Sequence, residues 1–409
     1  MSESASPTPP VGYEASPASE VEVLLEQIEE IEEERLTSNL ELFFDLVFVF
    51  AITQIAALLL SDMSAAGFGR SALMLGLIWL AWSGYAWTTT AINVDGLGNR
   101  LGIMAAAAAA FFMAFALPEA YGHDALWFAL SYFAVRVLQV VLMAWGVRDT
   151  RAYLVSALRI GAFFLVTPTL VVVGAALGGR AQIAVWLVAM SVDLLGTITA
   201  GSGQFRVSPS HFAERHSLFV IIALGESIVA IGVGASHAHR DAALAGTILV
   251  AFIGVATLWW AYFDFVAGAL ERALVRRTGA ERGHASRDVF TYGHLPLVAG
   301  IVLFAVAAKK VVAHGGDPLS AHGRFALGAS IVALVLGFSI GRYRLIRRLA
   351  PERLAAAAVA AVAVALLDEL AAVALLGIVV AALAIALAVE AYRLRELRAA
   401  SRAPAPTPR

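Results

Sequence analysis

Residues 41–60 read ELFFDLVFVFAITQIAALLL. The run has the length of a bilayer crossing, which takes about 20 apolar residues. Its head nevertheless carries two carboxylates, Glu41 and Asp45, four positions apart. That spacing sets both on one helix face, with Phe48 and Ile52 below them. Ionisable groups in membrane spans are rare and face a polar interior or a pathway. A blander role competes, because negative charge near a helix N-terminus is favourable by about 0.3–1 kcal/mol. Ser38 and Asn39 stand just upstream, so capping suits Glu41. Asp45 lies a full turn deeper, where a cap does not reach.

The rest of the chain explains why such a run is a membrane span. It is 60% hydrophobic and 15% charged, with mean hydropathy +0.79, whereas soluble domains carry about 25% charged residues. The apolar residues fall into twelve expected spans, approximately 39–60, 71–92, 101–119, 125–146, 153–177, 182–202, 214–236, 243–269, 289–312, 323–342, 353–368 and 371–391. The eleventh is short and also suits one arm of a broken hairpin with the twelfth. Pro118, Pro168 and Pro296 sit in or beside spans, where kinks are tolerated if neighbours satisfy the freed carbonyls. With both termini cytoplasmic, 21 of the 29 basic residues lie on inner segments and six on outer loops, while Arg136 and Arg159 fall within spans. That asymmetry is the positive-inside pattern of a multi-pass plasma (inner) membrane protein.

The ends differ from the middle. Residues 1–18 are Ser/Pro/Ala-rich and expected to be disordered, 19–36 suit a short acidic helix, and 392–409 form a basic, Pro-rich tail. The start lacks the basic, early-apolar pattern of a signal peptide. There is no cysteine, so disulfides, thiolate metal sites and cysteine nucleophiles are excluded.

The spans suggest duplication. The first begins near Glu41 and the seventh near Glu214, an offset of about 173 residues, and WLAWSGY from Trp79 is matched by WWAYFDF from Trp259. The expected fold is therefore an all-α integral membrane protein of two parallel six-helix repeats, 38–203 and 208–391. In such proteins the polar pathway often lies between the halves.

Polar groups within the spans are the candidates for function. The first half offers Glu41, Asp45, Thr53, Asn93, Asp95 and Asn99. Two carboxylates as close as Glu41 and Asp45 resist joint ionisation, which suits a proton-sharing pair; an ionised pair suits a cation site. The seventh span, HFAERHSLFVIIALGESIVAIG, brings His211, Glu214, Arg215 and His216 to its cytoplasmic mouth and Glu226 three turns in. A buried glutamate needs a partner, a bound cation or a proton, and Arg136, Arg159 and Arg215 are the basic candidates. Gly225 and Ser227 beside it offer close helix approach and a hydroxyl. Asp193 and Asp264 are as suited to helix packing as to a pathway. Trp79, Trp82, Trp259, Tyr262 and His294 read as packing residues. The His211, Glu214 and His216 spacing is not the H-E-x-x-H of a metal helix. No metal or cofactor is expected, and there is no phosphate-cradling loop, nucleophile elbow or nucleic-acid footprint.

Three stretches carry a resemblance. ELFFDLVFVFAITQ from Glu41, the aromatic second span through Asn93 and Asp95, and HFAERHSLFVIIALGESI from His211 resemble the bacterial low-temperature-requirement protein A family over roughly 36–392. The resemblance implies a polytopic bacterial inner-membrane protein associated with growth in the cold, and no particular substrate. Locally, NLELFFDLVFVFAIT resembles the first helix of the six-helix lysosomal and bacterial potassium-channel family, which would make Phe48 and Ile52 pore-lining.

The expected function is movement of a small solute or ion, proton-coupled through Asp45 and Glu226. Such coupling asks these two acids to face a common cavity between the halves. Glu41, Phe48, Ile52, Glu214, Arg215 and Ser227 complete the expected pathway. A cation channel around the first and seventh spans is the alternative within transport. A lipid-acting enzyme or scaffold in cold adaptation is the alternative outside it, although no nucleophile–base pair supports an enzyme. The expected partners are the bilayer and the unknown solute, with a homo-oligomer left open.

Overall fold

Asn39 opens the first helix because Ser38 caps it. The Ser38 hydroxyl accepts from the Glu41 backbone N–H, and the Glu41 carboxylate accepts from the Ser38 N–H at 3.0 Å. This reciprocal arrangement satisfies two of the donors a helix start leaves open. Ser64, Asp241 and Ser320 accept from first-turn N–H groups of later helices, and Pro209 and Pro351 occupy first turns, where a missing N–H costs nothing.

The computed structural model describes residues 37–146, 148, 161, 163–199, 208–236 and 238–395. The expected acidic segment 19–36 and disordered 1–18, the start of the fifth span with Arg159, and the tail after 395 lie outside the described residues. The helices are α1 (Asn39–Ser61), α2 (Ala65–Ala91), α3 (Leu97–Ala116), α4 (Ala125–Gly146), α5 (Val166–Leu177), α6 (Gly179–Thr199) and α7 (Pro209–Ala235). They continue with α8 (Ala242–Phe263), α9 (Val266–Val275), α10 (Gly279–Ala285), α11 (Gly293–Ala313), α12 (Ala321–Ile346), α13 (Pro351–Leu366) and α14 (Ala372–Arg393). The described residues contain no strand.

Among the described residues, ten segments are long and apolar enough to cross a membrane: those of α1 to α4, α6, α7, α8 with α9, α10 with α11, α12 and α14. Of the two other expected spans, α5 has 12 residues and α13 has 16. The outer surface fits a lipid environment. Phe111, Phe112, Phe115, Trp127, Leu130 and Leu249 are among many large apolar side chains left about half exposed or more, which water would penalise and hydrocarbon does not.

Packing follows one order twice. α1 packs on α2 and α3, α3 on α4, α4 on α5, α5 on α6, and α2 returns to α6. α7 packs on α8 and α11, α11 on α12, α12 on α13, α13 on α14, and α8 returns to α14. One apolar core is built mainly from residues before 220, and a second from residues 220 onward. Between them α1 and α2 lie against α7 and α11.

Pro296 deforms the chain at that seam. Residues Ser286–Tyr292, ahead of α11, form a π-helical stretch in which the Gly293 N–H reaches the Asp288 carbonyl. Pro296, in the first turn of α11, has no N–H to give the turn before it, and the Thr291 carbonyl in that turn takes a side-chain donor. The Trp79 indole donates to that carbonyl instead, at 2.6 Å. His294 Nδ1 stands 3.0 Å from the Val289 carbonyl, and its Nε2 is 2.8 Å from the Tyr262 hydroxyl. Trp79 and His294 are therefore packing residues that also supply partners to polar groups near the deformation.

Candidate functional site

Glu41 and Asp45 of α1 meet His211 and Arg215 of α7 in one buried cluster where α1, α2 and α7 touch. Asp45 is fully enclosed, as is Arg215, and the Arg215 guanidinium donates to Asp45 Oδ1. Trp82 of α2 donates its indole N–H to the same oxygen at 2.7 Å. Arg215 Nη1 donates to Thr89 Oγ1 at 2.6 Å and lies 3.7 Å from Glu41 Oε1. Glu41 Oε1 is also 3.1 Å from His211 Nε2. Two acids thus face two nitrogen bases, and an acid buried this deeply needs such a partner.

The Thr90 hydroxyl is 2.8 Å from the Ala86 carbonyl and 3.0 Å from His211 Nδ1, so it bridges the end of α2 to the imidazole whose other nitrogen faces Glu41. Glu41 Oε1, Asp45 Oδ2 and Arg215 Nε have no good hydrogen-bond partner. The cluster is enclosed and incompletely bonded.

Glu214 sits one residue from Arg215 but faces the other way. It accepts from the Thr37 backbone N–H at 2.7 Å and from the Thr37 hydroxyl at 2.9 Å, tying the start of α1 to α7. His216, also buried, is 2.8 Å from the Phe212 carbonyl through Nδ1 and packs edge-on against Trp82. Phe48 and Ile52 lie in the apolar core below Asp45. Asn93, Asp95 and Asn99 join no cluster; they build the turn between α2 and α3, with Asn93 Oδ1 accepting from the Asp95 N–H at 2.9 Å.

Glu226 occupies a separate place. It accepts from the Thr53 hydroxyl at 2.6 Å, about 12 Å along α1 from Asp45 at 1.5 Å per residue. It lines a pocket of about 110 Å³ with Thr53, Ala57, Val233 and Lys309. A water needs roughly 10–15 Å³ of such space, so several would fit. Asp45 does not line this pocket, and the expectation of one cavity shared by Asp45 and Glu226 is not met. Their separation along α1 and the closure of the Arg215 cluster account for it. The expected basic partners of Glu226 are also otherwise engaged. Arg215 holds Asp45, Arg136 holds Asp193 at 2.9 Å, and Arg159 lies outside the described residues. Lys309 takes the place beside Glu226. Gly225 has no atom within 4 Å of where a Cβ would stand, so the close helix approach expected there does not occur. Ser227 is buried with an unpartnered hydroxyl.

Sequence reading missed Trp82, Thr89 and Thr90 as members of the cluster. The signal was present: three consecutive threonines, Thr88 to Thr90, put a hydroxyl on most faces of a helix end that is otherwise aromatic. Among the described residues there is no group of three or more His, Cys, Asp or Glu side chains fit to hold a metal ion.

Comparison with known proteins places the chain. The sequence model described as bacterial low temperature requirement A protein (LtrA) matches residues 37–389. An uncharacterised protein of Rhizobium meliloti (strain 1021) is 31% identical over 288 residues, which is 67% of this chain and 69% of that protein.

Proposed function

Because this chain belongs to the bacterial low temperature requirement A family, whose name states a need and not a reaction, we propose from its geometry that it is a proton-coupled carrier of a small solute or ion. In this reading the protein has twelve membrane-crossing helices in two parallel six-helix halves, with both termini on the cytoplasmic side of the inner membrane. The twice-followed packing order supports the duplication. So do two matching bonds between the first and second helix of each half: Trp82 to Asp45 at 2.7 Å, and Tyr262 with Ser217 at 3.2 Å.

One observation carries the carrier reading. The α1–α7 seam is shut at one end by the Glu41–Asp45–His211–Arg215 cluster and hollow towards the other, where Glu226, Thr53 and Lys309 line a pocket. A seam closed on one side and open on the other is what alternating access requires. In this reading the Arg215–Asp45 contact is the lock on the shut side. Glu226 receives the solute or proton on the far side. The burial of Phe48 and Ile52 in the apolar core favours a carrier over an open cation channel.

Purified protein in proteoliposomes tests this, with a pH-sensitive dye in the lumen and an imposed pH gradient in the presence of potassium, sodium or magnesium. The wild type should move protons with at least one of these ions, and Glu226→Gln, which keeps shape and size, should lower the rate about tenfold or more. Wild-type rates in Glu226→Gln would remove Glu226 from the pathway. No proton movement by folded wild-type protein under any condition would overturn the carrier reading and leave the scaffold or lipid-acting role.

A further inference from the structure

The second half holds a cavity at the end of the bundle where α12 and α14 finish and α8 breaks into α9. Its volume is about 220 Å³, against the roughly 10–15 Å³ that one water needs. α8 stops at Phe263, Phe265 leaves helical geometry at φ −143°, and α9 sets off as a separate short helix. Ala269 and Ala273 of α9 line the cavity four positions apart, on one helix face, and their small side chains leave the room. Phe338 and Ile346 of α12 supply another apolar wall. Ten of the fourteen lining residues are apolar.

The other four are three arginines and one glutamate. Glu390 of α14 is shared, its Oε2 accepting from Arg353 Nε and its Oε1 from Arg342 Nη1, both at 2.8 Å. Arg353 is buried and also donates twice to the Ala261 carbonyl at 3.1 Å. Arg342 is more open. Its side chain is 26% exposed, and its Nη2, unlike its Nε, is not among the enclosed atoms and bonds nothing among the described residues. Arg348 lies on the same lining, is exposed, and forms no ion pair among the described residues. The chain reaches it through a left-handed turn at Arg347 (φ 56°, ψ 30°), whose N–H closes α12 on the Tyr343 carbonyl at 3.0 Å. Glu352, next to Arg353 in sequence, is held by Arg393 and stands outside the lining. One carboxylate therefore answers three guanidiniums, and the two reachable ones border an apolar hollow.

We propose that this cavity binds one anionic phospholipid, with its phosphate on Arg342 and Arg348 and part of one acyl chain between α9 and α12. Charge selects the headgroup. The excess of guanidinium suits a phosphodiester that carries no ammonium of its own, as in phosphatidylglycerol, over a zwitterion. The apolar wall selects a lipid over a free anion, because a phosphate alone would leave that wall facing water. Position agrees with both. α12 has 26 residues and α14 has 22, about the length of a bilayer crossing, so a cavity at their ends lies at headgroup depth. Basic pockets between membrane helices are a recurrent form of lipid-headgroup site. The site does not rest on the carrier reading, since binding is measured without flux.

Native mass spectrometry of the full chain released from detergent micelles tests it, with dioleoylphosphatidylglycerol as probe and dioleoylphosphatidylcholine as its zwitterionic counterpart. The wild type should retain one phosphatidylglycerol at concentrations about tenfold below those that phosphatidylcholine needs. Arg348→Gln, at an exposed position, should remove most of that preference. Ala273→Phe, which fills the cavity, should weaken phosphatidylglycerol retention about tenfold. Glycerol 3-phosphate, which carries the anion without a chain, should not compete. Either variant decides the matter if the other loses its helical circular dichroism. Four outcomes each overturn the proposal: equal retention of the two lipids, unchanged retention of phosphatidylglycerol in a folded variant, displacement by glycerol 3-phosphate, which would mean a free-anion site, or a dimer that takes up no lipid, which would mean that a second copy covers the cavity.

Discussion

Asp45 is held from two sides, by an arginine from the other half of the chain and by an indole from the neighbouring helix. Removing one member of a buried pair leaves the other uncompensated, which costs about 3–5 kcal/mol. Asp45→Leu and Arg215→Leu should therefore each destabilise the protein by that order. The double variant should cost much less than the two together, since contacting residues are not additive. Unfolding in mixed micelles, followed by loss of helical circular dichroism, gives the cycle; additive losses would mean that the pair is not coupled. At this scale the sequence was informative about one side of each contact. The four-residue spacing of Glu41 and Asp45 marked them as sharing a face; Glu41 completes the Ser38 cap, as the capping reading expects, and also faces His211. Pairing was not legible. Asp45 and Arg215 are 170 positions apart, and no pattern of period 3.6 links residues on different helices. Arg136 and Asp193 were each visible as isolated charges in apolar runs, but not as partners of one another.

Helices repeat the same division between local and distant information. Caps and prolines mark their ends, and apolar length marks most of the crossings, so α1 to α4 and α7 fall close to where hydropathy puts them. Pro296 announced a disturbance in α11; its form, a π-helical stretch satisfied by Trp79, depends on a neighbour the local sequence does not name. The α5–α6 connection is a tighter case. Gly178 has φ 68° and ψ 176°, a conformation almost confined to glycine, where another residue costs about 1–3 kcal/mol. No atom crowds a Cβ there, so Gly178→Ala should lower stability by that amount through the backbone alone. A thermal melt in detergent measures it, and an unchanged midpoint would show that the turn relaxes.

For the whole molecule, the absence of cysteine makes orientation directly measurable, because any introduced thiol is unique. With both termini cytoplasmic, the turns after α1, α7 and α11 face outward and those after α9 and α12 face inward. His239→Cys and Asp317→Cys should react with a membrane-impermeant maleimide on intact cells. Ala280→Cys and Arg348→Cys should react only after permeabilisation. The reverse pattern would invert the protein and move the closed cluster to the outer face.

Thr291 gives the two halves a fixed point. Its carbonyl takes Trp79, and its hydroxyl meets Ser83 and Trp87, so three side chains along one edge of α2 converge on a single residue of the opposite half. At the Asp45–Arg215 contact the seam is held by charge; here it is held by neutral bonds. Should the halves rock, they would turn about this rivet, with displacement growing with distance from it. The Glu226 pocket, farther along α1 and α7, would then travel more than the Asp45 cluster.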